Sequence, residues 1–317
     1  MSPTAPRPVL PPQVERLLCF YLKRHTPVLL EGPPGTGKSL AARYWAQEIG
    51  DREPVKIDIT EDTELPHILG DVDWKRLLME TRQTTGPVTA SGAPPQTGGD
   101  SPEMPGEPAT SLYDRYYVPS TAIRAMLEGR VLIIEELDRC GRDTLFPVFF
   151  DMIEYHRAYI PALQREVRAR EGFGVVITVN RETDAGTVRL PDALLRRCRR
   201  LYVPMPDLET EKRIVLANLP DAPQRLVHQV VSAVQRLREL ELEHTPSPSE
   251  TVHWVEDLLG LFGEAAESPE PEMLQATLGA VCKSAEDSAE ALKSLRGSGS
   301  GVTVADRIRS GGNRGRR

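Results

Sequence analysis

The sequence predicts a doubly wound parallel α/β domain followed by a small all-helical domain, and three observations predict it. Residues 27–30 ("PVLL"), 131–134 ("VLII") and 174–180 ("GVVITVN") are short apolar runs bounded by charge, the pattern of strands buried on both faces of a parallel sheet. Between them lie segments with apolar residues at helical spacing, notably 39–49, 121–128 and 143–155, so strand and helix alternate up to about residue 205. From Asp207 onward the strand signal stops, and "LETEKRIVLANL", "QRLVHQVVSAVQRLREL", "ETVHWVEDLLGLFGEAA" and "PEMLQATLGAVCKSAEDSAEALKSL" repeat apolar residues every three or four positions. The expected organisation is an α/β domain over 1–205, a helical domain over 206–295 and a flexible basic tail over 296–317.

One segment interrupts the first domain. Residues 86–110, "GPVTASGAPPQTGGDSPEMPGEPAT", are rich in Gly and Pro and hold no aromatic or basic side chain, so they cannot bury enough apolar surface to order themselves. Strand and helix signals resume on both sides, which makes the segment an insert and not a boundary. The tail "RGSGSGVTVADRIRSGGNRGRR" reads either as a solvated end or as a flexible contact for an acidic partner.

At 317 residues and 39% hydrophobic, the chain can bury one sizeable core and a smaller one. The formal charge of -7 argues against a surface built as a whole for nucleic acid. With no apolar run of membrane-spanning length and no signal-peptide pattern at the N-terminus, the expectation is a soluble cytoplasmic protein without a membrane partner. Cys19, Cys140, Cys198 and Cys282 form no C-x-x-C pair and read as reduced, packed thiols.

The chemistry begins at "EGPPGTGKSLAARYWA", residues 31–46, which obeys G-x-x-x-x-G-K-[ST] through Gly32, Gly37, Lys38 and Ser39. A strand precedes it and a helix follows. A phosphate chain needs many close donors and little steric bulk, and glycines let successive backbone N–H groups turn inward to make an anion nest. Lys38 would reach the β- and γ-phosphates, Ser39 would ligate Mg²⁺ through its hydroxyl, and the helix N-terminus would add its positive dipole end.

Binding alone is not hydrolysis, and "RVLIIEELDRC" supplies the second requirement. Four apolar residues of a buried strand deliver Glu135 and Glu136 to its carboxyl end, where ligands sit in such sheets. The first acid would support Mg²⁺ and the second would orient and activate the attacking water. Asn180, ending "GVVITVN", could hold the same water by its side-chain amide. In "LPDALLRRCRR", Arg196, Arg197, Arg199 and Arg200 crowd together, which suits either an arginine offered to a neighbouring subunit's γ-phosphate or a solvated basic face.

In this order, "EGPPGTGKS", "VLIIEELDR", "VITVN" and "LPDALLRRC" resemble an AAA+ ATPase, and most nearly its MoxR branch. Further cues are "DITEDTELPHILGD" and "AIRAMLEGRVLIIEELDR", and the resemblance covers about residues 9–290. It implies a P-loop NTPase domain with a small helical lid, ATP and Mg²⁺ as ligands, assembly as a homo-oligomeric, hexameric ring, and remodelling or activation of a partner protein. Partners of that family commonly carry a von Willebrand A domain with a metal-dependent adhesion site. The resemblance further implies a phosphate loop made of Gly32, Pro33, Pro34, Gly35, Thr36, Gly37, Lys38 and Ser39, continued by Leu40. Glu135 and Glu136 become the second motif, Asn180 the polar sensor, and Arg197 the finger acting in trans, with Arg196 as its rival.

The chain departs from the family at two positions. Glu135 stands where the family has Asp, and Ser249, in "TPSPSETVHW", stands where a lid arginine is expected; Ser247 or Ser249 instead suits a helix N-cap. Two other functions use the same core motifs: a nucleotide-gated switch that hardly hydrolyses ATP, and a DNA-linked motor.

Overall fold

The computed structural model describes residues 7–83, 115–180, 189–267 and 269–297, so the 86–110 insert and the tail from residue 298 lie outside the described residues. By its contacts the chain divides into two compact units: Pro11–Glu31 with Lys38–Tyr202, and Gly32–Gly37 with the residues from Val203 on. Each unit has its own core.

The first unit is built on five parallel strands, β1 (Val28–Glu31), β2 (Val55–Asp58), β5 (Val131–Glu135), β8 (Gly174–Val179) and β9 (Arg199–Tyr202), in the order β2-β5-β8-β1-β9. Short antiparallel pairs, β3 (Asp71–Val72) with β4 (Tyr117–Val118) and β6 (Arg157–Ile160) with β7 (Arg165–Arg168), lie outside this sheet. The three central strands are the apolar runs of the sequence, and β8 is buried along its whole length. β1 lies between β8 and β9 with Leu30 beside both Thr178 and Leu201, while Ile134 of β5 pairs with Ile177 of β8. All five strands run the same way, so Glu31, Asp58, Glu135 and Asn180 stand along one edge, the carboxyl edge, where open α/β sheets bind ligands.

Helices cover the sheet as the pattern dictates. Lys38–Ile49 follows β1, and Thr121–Glu128 is capped by Ser120, whose side chain accepts the Ile123 N–H, and is closed by Gly129 in the left-handed conformation. The segment 143–155 begins as a 3-10 turn, Asp143–Leu145, before the helix Phe146–Glu154. Ile123, Met126, Leu132, Ile134, Phe149 and Ile177, all at most 2% exposed, form the centre of this core.

Beyond Val203 the described elements are helices: Leu208–Asn218, Gln224–Leu237, Pro248–Phe262, Pro271–Ala276 and Ala285–Gly297, with short 3-10 turns. They enclose Val230, Val231, Val234, Trp254 and Leu258, and the Trp254 indole N–H donates to Thr277 Oγ1 at 2.7 Å. Among them Glu211, 0% exposed, accepts both Nη1 and Nη2 of Arg238 at 2.6 and 2.7 Å, Gln235 Nε2 at 2.7 Å and the Thr251 hydroxyl at 2.6 Å. Arg238 Nε donates to the Pro246 carbonyl at 2.7 Å, tying this pair to the turn before Pro248.

A buried carboxylate stripped of its partner is costly, so Arg238→Ala should lose about 3–5 kcal/mol of stability, while joint apolar replacement, Glu211→Leu with Arg238→Met, should recover most of it. Urea unfolding followed by tryptophan fluorescence checks both; equal losses in the single and double variants would contradict the assignment. Among the described residues no helix is long and apolar enough to cross a membrane.

Candidate active site

Between β1 and helix Lys38–Ile49 the chain turns through Gly32–Gly37. Gly35 (φ +70°) and Gly37 (φ +82°) take the left-handed conformation that L side chains resist, and the space at Gly37 is open. Thr36 Oγ1 donates to the Pro33 carbonyl at 2.9 Å and holds the turn; Pro33 is buried and Pro34 exposed. A Cβ at Gly32 would meet the Val203 carbonyl oxygen, so backbone approaches backbone there. This is a cradle of small residues opening onto the first turn of a helix, with Ser39 and Leu40 half-buried in that turn.

Lys38 opens the helix and is only 7% exposed, an unusual state for a lysine without a polar partner. Its ammonium donates to Asn180 Oδ1 at 3.1 Å. The Asn180 backbone N–H in turn donates to Asp138 Oδ2 at 3.1 Å. Asp138 is 3% exposed, and its burial pushes the carboxyl pKa up, opposed by the hydrogen bond from Asn180. The structure thus joins Lys38, after β1, to Asn180, after β8, by a direct hydrogen bond across 142 positions of sequence.

The paired acids stand together at the end of β5 but have separate partners. Glu135, the last residue of the strand, reaches Lys56 Nζ at 3.4 Å, and Lys56 also pairs with Asp58 at 3.0 Å. The hydrogen bond that Lys56 donates to the Asp58 carboxylate is the first cause that raises the Lys56 pKa. Glu136 leaves the strand in the left-handed conformation, φ +55°, a strained state for a residue with a side chain, with its N–H 3.4 Å from Thr178 Oγ1. The half-exposed Glu136 carboxylate meets Arg139 Nε at 2.9 Å.

The arginine cluster separates. Arg197, the last residue of helix Asp192–Arg197, bonds the Glu154 carboxylate and the Ala193 carbonyl and lies 5.1 Å over the Phe150 ring. Arg196 is exposed. Arg199 and Arg200 belong to β9, where Arg200 pairs with Glu31 of β1.

A family model for the AAA domain, dynein-related subfamily, matches residues 27–198, the stretch that carries β1, the glycine turn, the paired acids, Asn180 and Arg197. The chain belongs to this AAA family. It is 28% identical over 230 residues to the gas vesicle ATPase GvpN of Haloferax mediterranei, and 26% identical over 230 residues to GvpN1 of Halobacterium salinarum; each match covers 72% of this chain and 60% of the relative. The chain therefore spans about three fifths of the length of these relatives. Its fold is similar to that of NtrX from Brucella abortus solved in complex with ATP, with a TM-score of 0.51 and 15% identity over 95% of this chain and 61% of that one. The resemblance to AAA+ proteins of MoxR type read from the motifs is borne out by the family and these relatives, and so is the parallel α/β fold.

Within this AAA domain the residues fit a nucleotide with its magnesium ion. The open cradle at Gly37, the buried Lys38 and the Ser39 hydroxyl supply what phosphates and a hard cation require. Among the described residues no group of three or more His, Cys, Asp or Glu gathers into a metal cage, so Mg²⁺ at Ser39 would be held largely by phosphate and water, its usual mode.

One feature of the AAA domain escaped the motif pattern: Asp138, since a polar residue three places beyond a strand end looks solvated in "EELDR"; the 3-10 turn Leu137–Arg139 folds it back under Asn180. The seryl N-cap expected from the sequence is present in the helical segment. Ser247 is the N-cap of helix Pro248–Phe262 in a full capping box with Glu250, and Ser247 Oγ lies 3.0 Å from Ser249 Oγ. A Cβ at Gly35 would lie 2.6 Å from Ser247 Oγ and 2.9 Å from Ser249 Oγ. Hydroxyls therefore face the glycine turn from the helical segment, where the resemblance calls for a guanidinium.

Proposed function

We propose that the chain is a Mg²⁺-dependent ATPase of MoxR type that works as a homo-oligomeric, hexameric ring and couples hydrolysis to remodelling or activation of a protein partner. The observation that carries this reading is the buried Lys38 ammonium bound to Asn180 at the carboxyl edge where the paired acids emerge. Kinship with gas vesicle ATPases supports the chemistry. The von Willebrand A domain partner rests on the MoxR likeness.

The residues divide the reaction among them. Backbone N–H groups of Gly35–Ser39 and the Lys38 ammonium hold the β- and γ-phosphates and offset their charge. Ser39, with Glu135 behind it, would hold Mg²⁺, which would supply Lewis-acid stabilisation of the phosphate charge. Glu136 orients a water in line with the γ-phosphorus and accepts its proton as the new P–O bond forms and the β,γ-bridging bond breaks; Asn180 fixes that water through its carboxamide. A neighbouring subunit's Arg197 offsets the charge that develops on the γ-phosphoryl group. The helices beyond Val203 act as the lid.

Lys38 is needed for both stages, so Lys38→Ala should weaken ATP binding by about tenfold or more and cost turnover besides, because a charge-assisted contact to phosphate is lost. A fluorescent ATP analogue titrated against wild type and variant, alongside phosphate release with and without EDTA, checks this. Unchanged binding in the variant would contradict the assignment of the loop.

One alternative has an observation behind it. Glu135 is occupied by Lys56, and hydroxyls stand where a lid arginine is expected, which suits a switch that binds ATP, assembles and hardly turns it over. The retained Glu136 weighs against it, since such a switch needs no base.

A further inference from the structure

The proposed chemistry leaves Asp138 unused, although it is the most buried carboxylate of the first unit, 3% exposed. Its Oδ2 accepts the Asn180 N–H at 3.1 Å, while Oδ1 is shielded from solvent and has no hydrogen-bond partner among the described residues. A carboxylate in the interior is ordinarily satisfied at both oxygens. Asp138 also lines a cavity of about 20 Å³ shared with Glu31, Asn180 and Arg200, behind the residue that Lys38 binds. The rest of the wall, including Leu29, Val179 and Leu190, is apolar.

We propose that Asp138 is a positioning residue for Asn180, fixing its main chain through the N–H that Oδ2 accepts. Asn180 is thereby gripped on its backbone side while its carboxamide remains free to meet Lys38 and the attacking water. This rests on the ATPase reading given above. A loss of Asp138 lets the main chain at Asn180 drift, and a misplacement near 1 Å at a reacting centre costs roughly a hundredfold in rate while leaving binding largely intact.

Asp138→Asn keeps an acceptor for the Asn180 N–H; Asp138→Leu, of similar size, does not. Asp138→Leu should lower kcat by about 30-fold or more with the ATP KM within about threefold, and Asp138→Asn should stay within about threefold in both. Hydrogen exchange at the Asn180 amide, measured without nucleotide, should be fast in Asp138→Leu and slow in wild type and Asp138→Asn. If Asp138→Leu fails to fold, Asp138→Ala takes its place. The exchange readout separates the two layers of the argument: a wild-type chain that hydrolyses no ATP defeats the ATPase reading, whereas unprotected Asn180 in wild type defeats this one. The proposal is overturned if Asp138→Leu keeps its turnover and its slow exchange, if Asp138→Asn fails as badly as Asp138→Leu, or if kcat and ATP affinity fall together by one factor.

Discussion

Glu136→Gln is expected to bind ATP as the wild-type chain does and to turn it over at least about a hundredfold more slowly, the range of general-base catalysis. The carboxamide matches the carboxylate in shape, so the strained turn at φ +55° and the backbone contact to Thr178 should survive. Only the ability to take a proton from water is removed. Glu136 meets Arg139 at 2.9 Å with both side chains about half exposed, and an ion pair so open to solvent is weak enough to be exchanged for a water poised on phosphate. Phosphate release measured beside equilibrium ATP binding checks the split between the two. Loss of binding in step with turnover would mean that Glu136 holds nucleotide and is not the base.

Arg197→Ala should lower turnover of the assembled protein by about a thousandfold, the scale of an arginine supplied in trans to a transferring phosphoryl group, with ATP binding unaffected. Within its own chain Arg197 is held by the Glu154 carboxylate, the Ala193 carbonyl and the Phe150 face at 5.1 Å. A guanidinium fixed in this way loses less rotamer freedom when it meets a phosphate than one free in solvent. Arg196, exposed beside it, is the internal control: Arg196→Ala should leave turnover within about threefold of wild type, as surface changes away from the chemistry do. Phosphate release at concentrations where assembly is complete distinguishes the two. A wild-type rate for Arg197→Ala, or a matching loss for Arg196→Ala, would contradict the assignment.

The parts of the fold that could be read from sequence are the parts with one environment along their length. β1, β5 and β8 are buried on both faces, so "VLLE", "VLIIE" and "GVVITV" carry unbroken apolar runs. The outer strands β2 and β9 carry no such signal because edge strands are partly solvated; two of four side chains in "VKID" and three of four in "RRLY" are exposed, so both look like loop. The same logic governs the site. Glycine spacing announces a phosphate cradle because backbone conformation is written in residue type, and Lys38 follows from it. The long-range bond from Lys38 to Asn180 could be anticipated only as two strand ends on one edge. Asp138 was illegible because its burial depends on a turn of three residues folding it under a strand 42 positions away. The partner of Glu135 was equally hidden, since Lys56 lies on a strand that the pattern did not reveal.

The central claim is that the chain hydrolyses ATP at a site completed by a neighbouring subunit. It is tested most directly by ATP turnover per subunit across a wide protein concentration range, for wild type and Glu136→Gln, with sedimentation on the same samples. The wild-type rate should rise as oligomers form and be lost in the variant at every concentration. Tight ATP binding with flat, negligible turnover in both proteins would contradict it and identify the chain as a nucleotide-gated switch, with Glu135 and Ser249 the residues to exchange for aspartate and arginine.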